Sequence, residues 1–212
     1  MTTNKFFKAC VLATILMGMA ASCYAEKKVD IFDLTFEENF VTPEIKKDLE
    51  SKKIQEYQNN QAIDLIQHGY EVELTRNKEV VIINIPADKL FESNDTTLLN
   101  GGKSYLKPLL KYTTDPGFYK ILLVMHSDNT GSKDYCTAFT TARVCSVLDW
   151  METCASTNYV VAYAKGLKDP LYSNDSMQNR QHNRRLEIYL VPGDVMIEQA
   201  KKGSIRQNVN KK

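Results

Sequence analysis

The strongest constraint on this chain is a strand–loop–helix pattern in residues 121–150, which read ILLVMHSDNTGSKDYCTAFTTARVCSVLDW. The apolar run at 121–125 is too short and too uniformly hydrophobic for a surface helix, which predicts a strand covered on both faces. Gly131 ends a polar loop, Ser132 is an N-cap candidate, and helical apolar spacing follows. The predicted core-facing stripe of this helix is Phe139, Val144, Val147, Leu148 and Met151.

The pattern also predicts a crevice with two charged side chains. The end of a strand and the first turns of the next helix face the same crevice, so Asp128 and Arg143 are both expected to border it. Such a pair either forms a salt bridge with itself or holds a ligand that carries an ammonium and a carboxylate. Spacing alone favours the salt bridge.

Length and composition indicate one domain of ordinary size with additional segments. The chain has 212 residues, of which 43% are hydrophobic and 25% are charged. Its net charge of +1 gives no general electrostatic reason to bind nucleic acid, so no nucleic-acid partner is expected.

The first residues have the features of an export signal. Lys5 and Lys8 precede the apolar run 9–21, which is too short to span a bilayer. Two cleavages fit the sequence: release of a signal peptide 1–25, or removal of a lipoprotein signal 1–22 with Cys23 as the lipidation candidate. Ala20 departs from the leucine usual in the lipoprotein motif, and both alternatives stay open.

Three cysteines belong to the domain itself. Cys136, Cys145 and Cys154 are nine residues apart on the predicted helix, so neighbours are separated by roughly 13 Å along its axis. Disulfides need Cα atoms within about 7 Å, which excludes bridges among them. We interpret them as small buried hydrophobic residues, and their spacing lacks the paired ligands of a metal site.

The chain divides into four predicted segments. After the signal, residues 26–69 are a linker and an N-terminal helix over 43–67, which either packs on the next domain or mediates self-association. Residues 70–192 are predicted to form an α+β domain in the order β-α-β-α-β-β, with a mixed sheet covered by helices on one face. Residues 193–212 are expected to be a basic flexible tail. Strands are expected at 70–76, 79–86, 121–125, 160–164 and 185–191.

Three spaced motifs carry a family resemblance. They are HSDNTG at 126–131, FTTAR at 139–143 and NRRLEI at 183–188. In this order they resemble the OmpA-like C-terminal peptidoglycan-binding domain, a family also found in peptidoglycan-associated lipoproteins and flagellar stator anchors. The resemblance covers about residues 70–192, and Cys136 departs from it by replacing a polar asparagine.

The resemblance implies non-catalytic capture of diaminopimelate in the stem peptide of peptidoglycan, with Arg143 on a carboxylate and Asp128 on the ammonium. It implies a periplasmic protein associated with the outer membrane, through a lipid anchor or an envelope protein complex. Peptidoglycan is the expected partner, and no cofactor or metal is expected. The further ligand-contact candidates are Ser127, Cys136, Thr140, Asn94 and Arg184.

Two other functions compete with wall binding. An enzyme would use Cys136 as nucleophile, His126 as base and Asp128 to orient the base, but the set lacks an oxyanion-hole glycine elbow, so we expect no enzyme. A drifted scaffold would no longer bind the wall and would assemble an envelope complex through the helix at 43–67.

Overall fold

The computed structural model describes residues 30–206. The predicted signal peptide, Cys23 and residues 207–212 lie outside these residues. Within residues 30–206, no helix combines the length and the apolarity needed to cross a membrane.

Five strands in the described part of the chain form one mixed sheet. They are β1 Glu71–Thr75, β2 Val80–Pro86, β3 Tyr119–His126, β4 Val160–Gly166 and β5 Arg185–Pro192. The order across the sheet is β1-β2-β5-β3-β4, and only the β3–β4 pair is parallel. β3 is buried along its whole length because it has a strand on each side and a layer on each face, as its apolar run predicts.

Within residues 30–206, six α-helices accompany the sheet. They are α1 Phe36–Val41, α2 Asp48–Gln67, α3 Asn100–Leu106, α4 Lys133–Cys154, α5 Met177–Asn183 and α6 Asp194–Lys202. The α+β class, the mixed sheet and the N-terminal helix are confirmed. The order of elements differs from the prediction, because both hairpin strands precede the first domain helix and the chain reads β-β-α-β-α-β-α-β from β1 to β5.

The main core lies between the sheet and the longer helices. Two local features set the ends of its elements. Ser132 caps the start of α4 by accepting a hydrogen bond from the Tyr135 amide at 3.2 Å. Asn77 lies in the turn between β1 and β2 with a left-handed φ of 54°. The fully or nearly buried helix residues of this core include Ile54, Leu65, Val144, Val147, Met151, Met196 and Ala200.

A second, smaller core lies on the opposite face of the sheet. It contains Val80, Leu122, Val124, Val161 and Val191. Residues 30–43 cover it, with Phe36 and Phe40 of α1 packed against Tyr163 and Tyr189. Lys120 holds this segment by donating to the Thr42 carbonyl at 2.6 Å. The segment predicted as a linker is therefore a packed part of the domain, and helices occupy both faces.

The prediction of a flexible tail from residue 193 is wrong for α6. Met196 and Ala200 are completely buried in the main core, and Gly203 ends the helix in a left-handed conformation with φ of 100°. The prediction overlooked a short apolar stripe in this basic segment, formed by Met196 and Ala200, while Lys201 and Lys202 lie on the exposed side of the helix.

Two sequence expectations for α2 and the cysteines need correction. The N-terminal helix begins at Asp48 rather than at residue 43. Cys136 is buried as expected, but Cys145 and Cys154 are exposed, because they lie on the side of α4 that faces away from the sheet.

Candidate ligand-binding cleft

A cleft of about 540 Å³ opens where β3 ends and α4 begins. One wall is the first half of α4, another is the β3–α4 loop, and the third is the segment 87–94 that follows β2. Asp128 and Arg143 both line it, as the strand–loop–helix pattern predicts. The cleft is open, and neither Phe139 nor Cys136 fills it.

Asp128 is held by the loop and by the end of α5. Its Oδ1 accepts a hydrogen bond from the Thr130 amide at 2.9 Å, and its Oδ2 is paired with Nη1 of Arg184. Burial by itself raises the pKa of this carboxyl, but the hydrogen bonds from Thr130 and the Arg184 charge outweigh it and leave the pKa below its ordinary value. Asp128 therefore presents a carboxylate to the cleft.

Arg143 braces the opposite wall. Its Nε donates to the Asp95 carbonyl at 2.8 Å and its Nη2 to the Glu92 carbonyl at 3.0 Å. The guanidinium carbon lies 4.7 Å from the ring centre of Phe91 and 4.3 Å from that of Phe139. These contacts fix the plane of the guanidinium, so that a ligand meets a preorganised group.

No salt bridge joins Asp128 to Arg143 within residues 30–206. The pairing favoured by spacing is wrong, because β5 lies beside β3 and brings Arg184 to the acid. Burial and the nearby charge of Arg184 lower the pKa of the Arg143 guanidinium. The two guanidinium groups therefore repel each other across the cleft, which a bound anion would relieve.

Three other predicted contact residues line the cleft but bond to the backbone. Ser127 Oγ donates to the Asp128 carbonyl at 3.1 Å, and Cys136 Sγ lies 3.6 Å from the same oxygen. Thr140 Oγ1 donates to the Cys136 carbonyl at 2.8 Å and accepts from the Gly166 amide at 3.2 Å. The hydroxyl of Thr140 therefore ties α4 to β4.

Asn94 and Arg184 are the remaining predicted contacts, and both line the cleft. Asn94 is exposed and has a left-handed φ of 58°, a conformation that asparagine tolerates better than most residues. Because Arg184 is partly exposed and uses only one nitrogen on Asp128, it can also reach a ligand. The ligand roles of all seven predicted residues stay predictions.

The side chains of the enzyme alternative are not assembled. His126 Nδ1 lies 3.2 Å from the Lys168 carbonyl and Nε2 lies 3.2 Å from Glu187 Oε2. Both ring nitrogens thus face acceptors other than Cys136, whose sulfur contacts the Asp128 carbonyl. This histidine is therefore not placed to act as a base for the Cys136 thiol.

The second arginine of the NRR motif has a structural position. Arg185 pairs with Glu187 at 2.6 Å and donates to the Asp169 carbonyl at 3.1 Å, which ties β5 to the loop after β4. Burial raises the pKa of Glu187, but His126, Arg185 and the hydroxyl of Tyr189 outweigh burial and lower that pKa to about 2. Of this buried network only His126 lines the cleft, and neither Arg185 nor Glu187 does.

Sequence reasoning missed three cleft residues. Phe91 and Glu92 contact Arg143 from a loop that carries no motif, so no local sequence pattern predicts their place in the cleft. Tyr135 lies on the cleft side of α4, four residues before Phe139, and this i, i+4 aromatic spacing was a readable signal. Phe139 belongs to this wall and not to the core stripe predicted for it.

The sheet order and the strand–loop–helix cleft are those of the OmpA-like fold, so the resemblance seen in the motifs is confirmed at the level of the fold. Solved structures similar to the chain include a protein of Desulfovibrio vulgaris described as MotB-like, with a TM-score of 0.60, 19% identity, and coverage of 67% of this chain and 95% of that one.

Two further similarities were found. The cell wall anchor of the T6SS from Pseudomonas aeruginosa has a TM-score of 0.52 at 22% identity, with 62% of this chain and 93% of that one covered. The Escherichia coli K12 protein named "Probable lipoprotein YiaD" is 26% identical over 125 residues, 58% of this chain. The chain spans only 57% of the length of that relative. No protein-family model matches the chain.

Proposed function

We propose that this protein is a non-catalytic peptidoglycan-binding protein whose cleft captures diaminopimelate in the stem peptide. The observation that carries the proposal is the placement of Asp128 and Arg143 on separate walls of one cleft, each held by other partners. A ligand with an ammonium and a carboxylate can therefore contact both without breaking a salt bridge between them.

Arg143 is prepared for an anion. Its Nε and Nη2 are occupied by backbone carbonyls, whereas Nη1 has no acceptor among residues 30–206. A ligand carboxylate at this nitrogen would add a charge-assisted hydrogen bond and reduce the repulsion between Arg143 and Arg184.

Asp128 is the complementary site for the ammonium. Its carboxylate is ionised at neutral pH because Arg184 and Thr130 stabilise the charged form. An ammonium bound there shares Oδ2 with Arg184, so Arg184 contributes to the geometry of the bound state.

The names of the similar proteins support a role at the cell wall, since one is a cell wall anchor and another is named as a lipoprotein. We infer that the protein resides in the periplasm and tethers the outer membrane or an envelope complex to peptidoglycan. Cys23 is the proposed lipid attachment point, and mass spectrometry of the processed N-terminus tests it directly.

The test is sedimentation with insoluble peptidoglycan. The wild-type protein should sediment, and Asp128→Asn should lose about 2–5 kcal/mol of binding free energy and remain in the supernatant. Asp149→Asn is the matched control, because Asp149 is an exposed carboxylate on α4 outside the cleft. Free diaminopimelate should release the wild-type protein, whereas putrescine, which lacks carboxylates, should not.

A drifted scaffold is the second candidate, and one observation favours it. Leu49, Ile63 and Ile66 are exposed on α2 and would suit self-association or contact with an envelope partner. This alternative predicts no sedimentation of the wild-type protein, and a change of oligomeric state in Ile63→Ser. Equal sedimentation of wild type and Asp128→Asn would refute the site assignment.

A further inference from the structure

Aromatic side chains form an ordered column along one wall of the cleft. Tyr135, Phe139 and Arg143 are four residues apart on α4 and therefore share one helix face. The rings of Tyr135 and Phe139 are stacked, with centroids 5.6 Å apart and planes at 12°. The guanidinium of Arg143 stacks next, and Phe91 closes the inner end of the column.

The outer end of this column is presented to solvent. Tyr135 is 52% exposed although it lines the cleft. Gly131 makes this position available, because a Cβ there would lie 2.5 Å from Cδ1 of Tyr135. The loop glycine thus leaves room for the tyrosine ring at the cleft mouth, where about half of the residue remains exposed.

Polar groups surround the column on the facing wall. Glu92, Ser93 and Asn94 line the same cleft and offer a carboxylate, a hydroxyl and an amide. A pyranose ring has complementary chemistry, since its C–H face packs on an aromatic ring while its hydroxyls reach polar groups at its edge. A neutral sugar also avoids the positive charge that Arg143 places in the column.

We propose that Tyr135 and Phe139 form a sugar-binding subsite that takes an N-acetylhexosamine ring of the glycan strand. The subsite extends the proposed diaminopimelate site along α4, and it rests on the proposed function only for the source of the sugar.

The first experiment uses a sugar without any peptide. The tetramer of β-1,4-linked N-acetylglucosamine is titrated at millimolar concentration into the full chain, and amide chemical shifts are followed by NMR. Shifts should be confined to the first turns of α4 and to residues 91–94. Tyr135→Ala should weaken binding by about 3- to 10-fold, the range expected for one aromatic contact.

Matched variants make the result specific. Tyr172→Ala is the control, because Tyr172 is 51% exposed but lies outside the cleft. Asp149→Asn should bind the tetramer like the wild type, since Asp149 is exposed on α4 outside the cleft. Phe139→Leu should retain the fold and weaken binding of the tetramer.

The second experiment compares a disaccharide-peptide with the same peptide lacking sugars. The wild type should prefer the disaccharide-peptide over the bare peptide by about 3- to 10-fold, and Tyr135→Ala should remove this preference. The proposal is overturned if the tetramer shifts no cleft amide, or if Tyr135→Ala and Tyr172→Ala behave alike. Failure of diaminopimelate binding with intact tetramer binding would refute the proposed peptide site and leave the sugar subsite standing.

Discussion

Replacing Arg143 by alanine should destabilise the protein independently of any effect on binding. The side chain is only 6% exposed and braces two backbone carbonyls and two aromatic rings. Taking about 1 kcal/mol for each hydrogen bond and about 0.5 kcal/mol for each ring contact gives a loss of about 3 kcal/mol. For a chain of this size, the melting temperature should fall by about 6–12 °C.

Urea denaturation followed by circular dichroism measures the loss. Arg143→Lys should recover only a small part of it, because a lysine cannot donate to the Glu92 and Asp95 carbonyls with the same planar fork. Arg184→Ala is the control: Arg184 is partly exposed and makes one ion pair, so its loss should cost less than about 1 kcal/mol.

The structural role of Arg143 is refuted if the free energy of unfolding of Arg143→Ala lies within about 0.5 kcal/mol of the wild-type value, which is the range of ordinary surface substitutions. It is also refuted if Arg184→Ala is equally destabilising. Because Arg143 supports the segment 92–95, sedimentation of its variants reports fold and binding together, whereas Asp128→Asn is the cleaner probe of the ligand.

Three further predictions concern stability. Burial lowers the pKa of Lys120 to about 8, which is below its value in the unfolded chain. The unfolded state therefore binds more protons than the folded state between about pH 8 and 10. In urea titrations, the free energy of unfolding of the wild type, measured relative to Lys120→Met, should rise by about 2 kcal/mol from pH 7 to pH 10. The pKa of Glu187 is lowered to about 2, so the melting-temperature advantage of the wild type over Glu187→Gln should be full above about pH 5 and disappear as the pH falls toward 2. A Cβ on Gly193 would lie 2.1 Å from the Gly117 carbonyl oxygen, so Gly193→Ala should lose at least about 2 kcal/mol in urea denaturation, whereas Gly101→Ala, with open space around it, should change stability by less than about 1 kcal/mol.

Local patterns predicted the centre of the fold well. The apolar run before His126, the cap at Ser132 and the helical spacing after it act over a few residues, so they are legible in sequence. The packing of residues 30–43 and of α6 was missed because a few apolar residues in charged segments give no clear period.

The cleft was predicted in part. The placement of Asp128 and Arg143 follows from one strand–loop–helix unit. The partner of Asp128 does not, because Arg184 arrives only when β5 pairs with β3 across 56 residues of chain. The partners of Arg143 are backbone carbonyls, which any residue type supplies and which sequence therefore cannot single out.

The docking of residues 30–43 on the sheet changes what counts as the minimal stable fragment. A polypeptide trimmed to residues 70–192 would leave Leu122, Val124 and Val161 without their cover and would also lack α2 and α6. Such a fragment would expose apolar surface on both faces of its sheet and would aggregate. A fragment that runs from Asp30 to Arg206 keeps both faces covered.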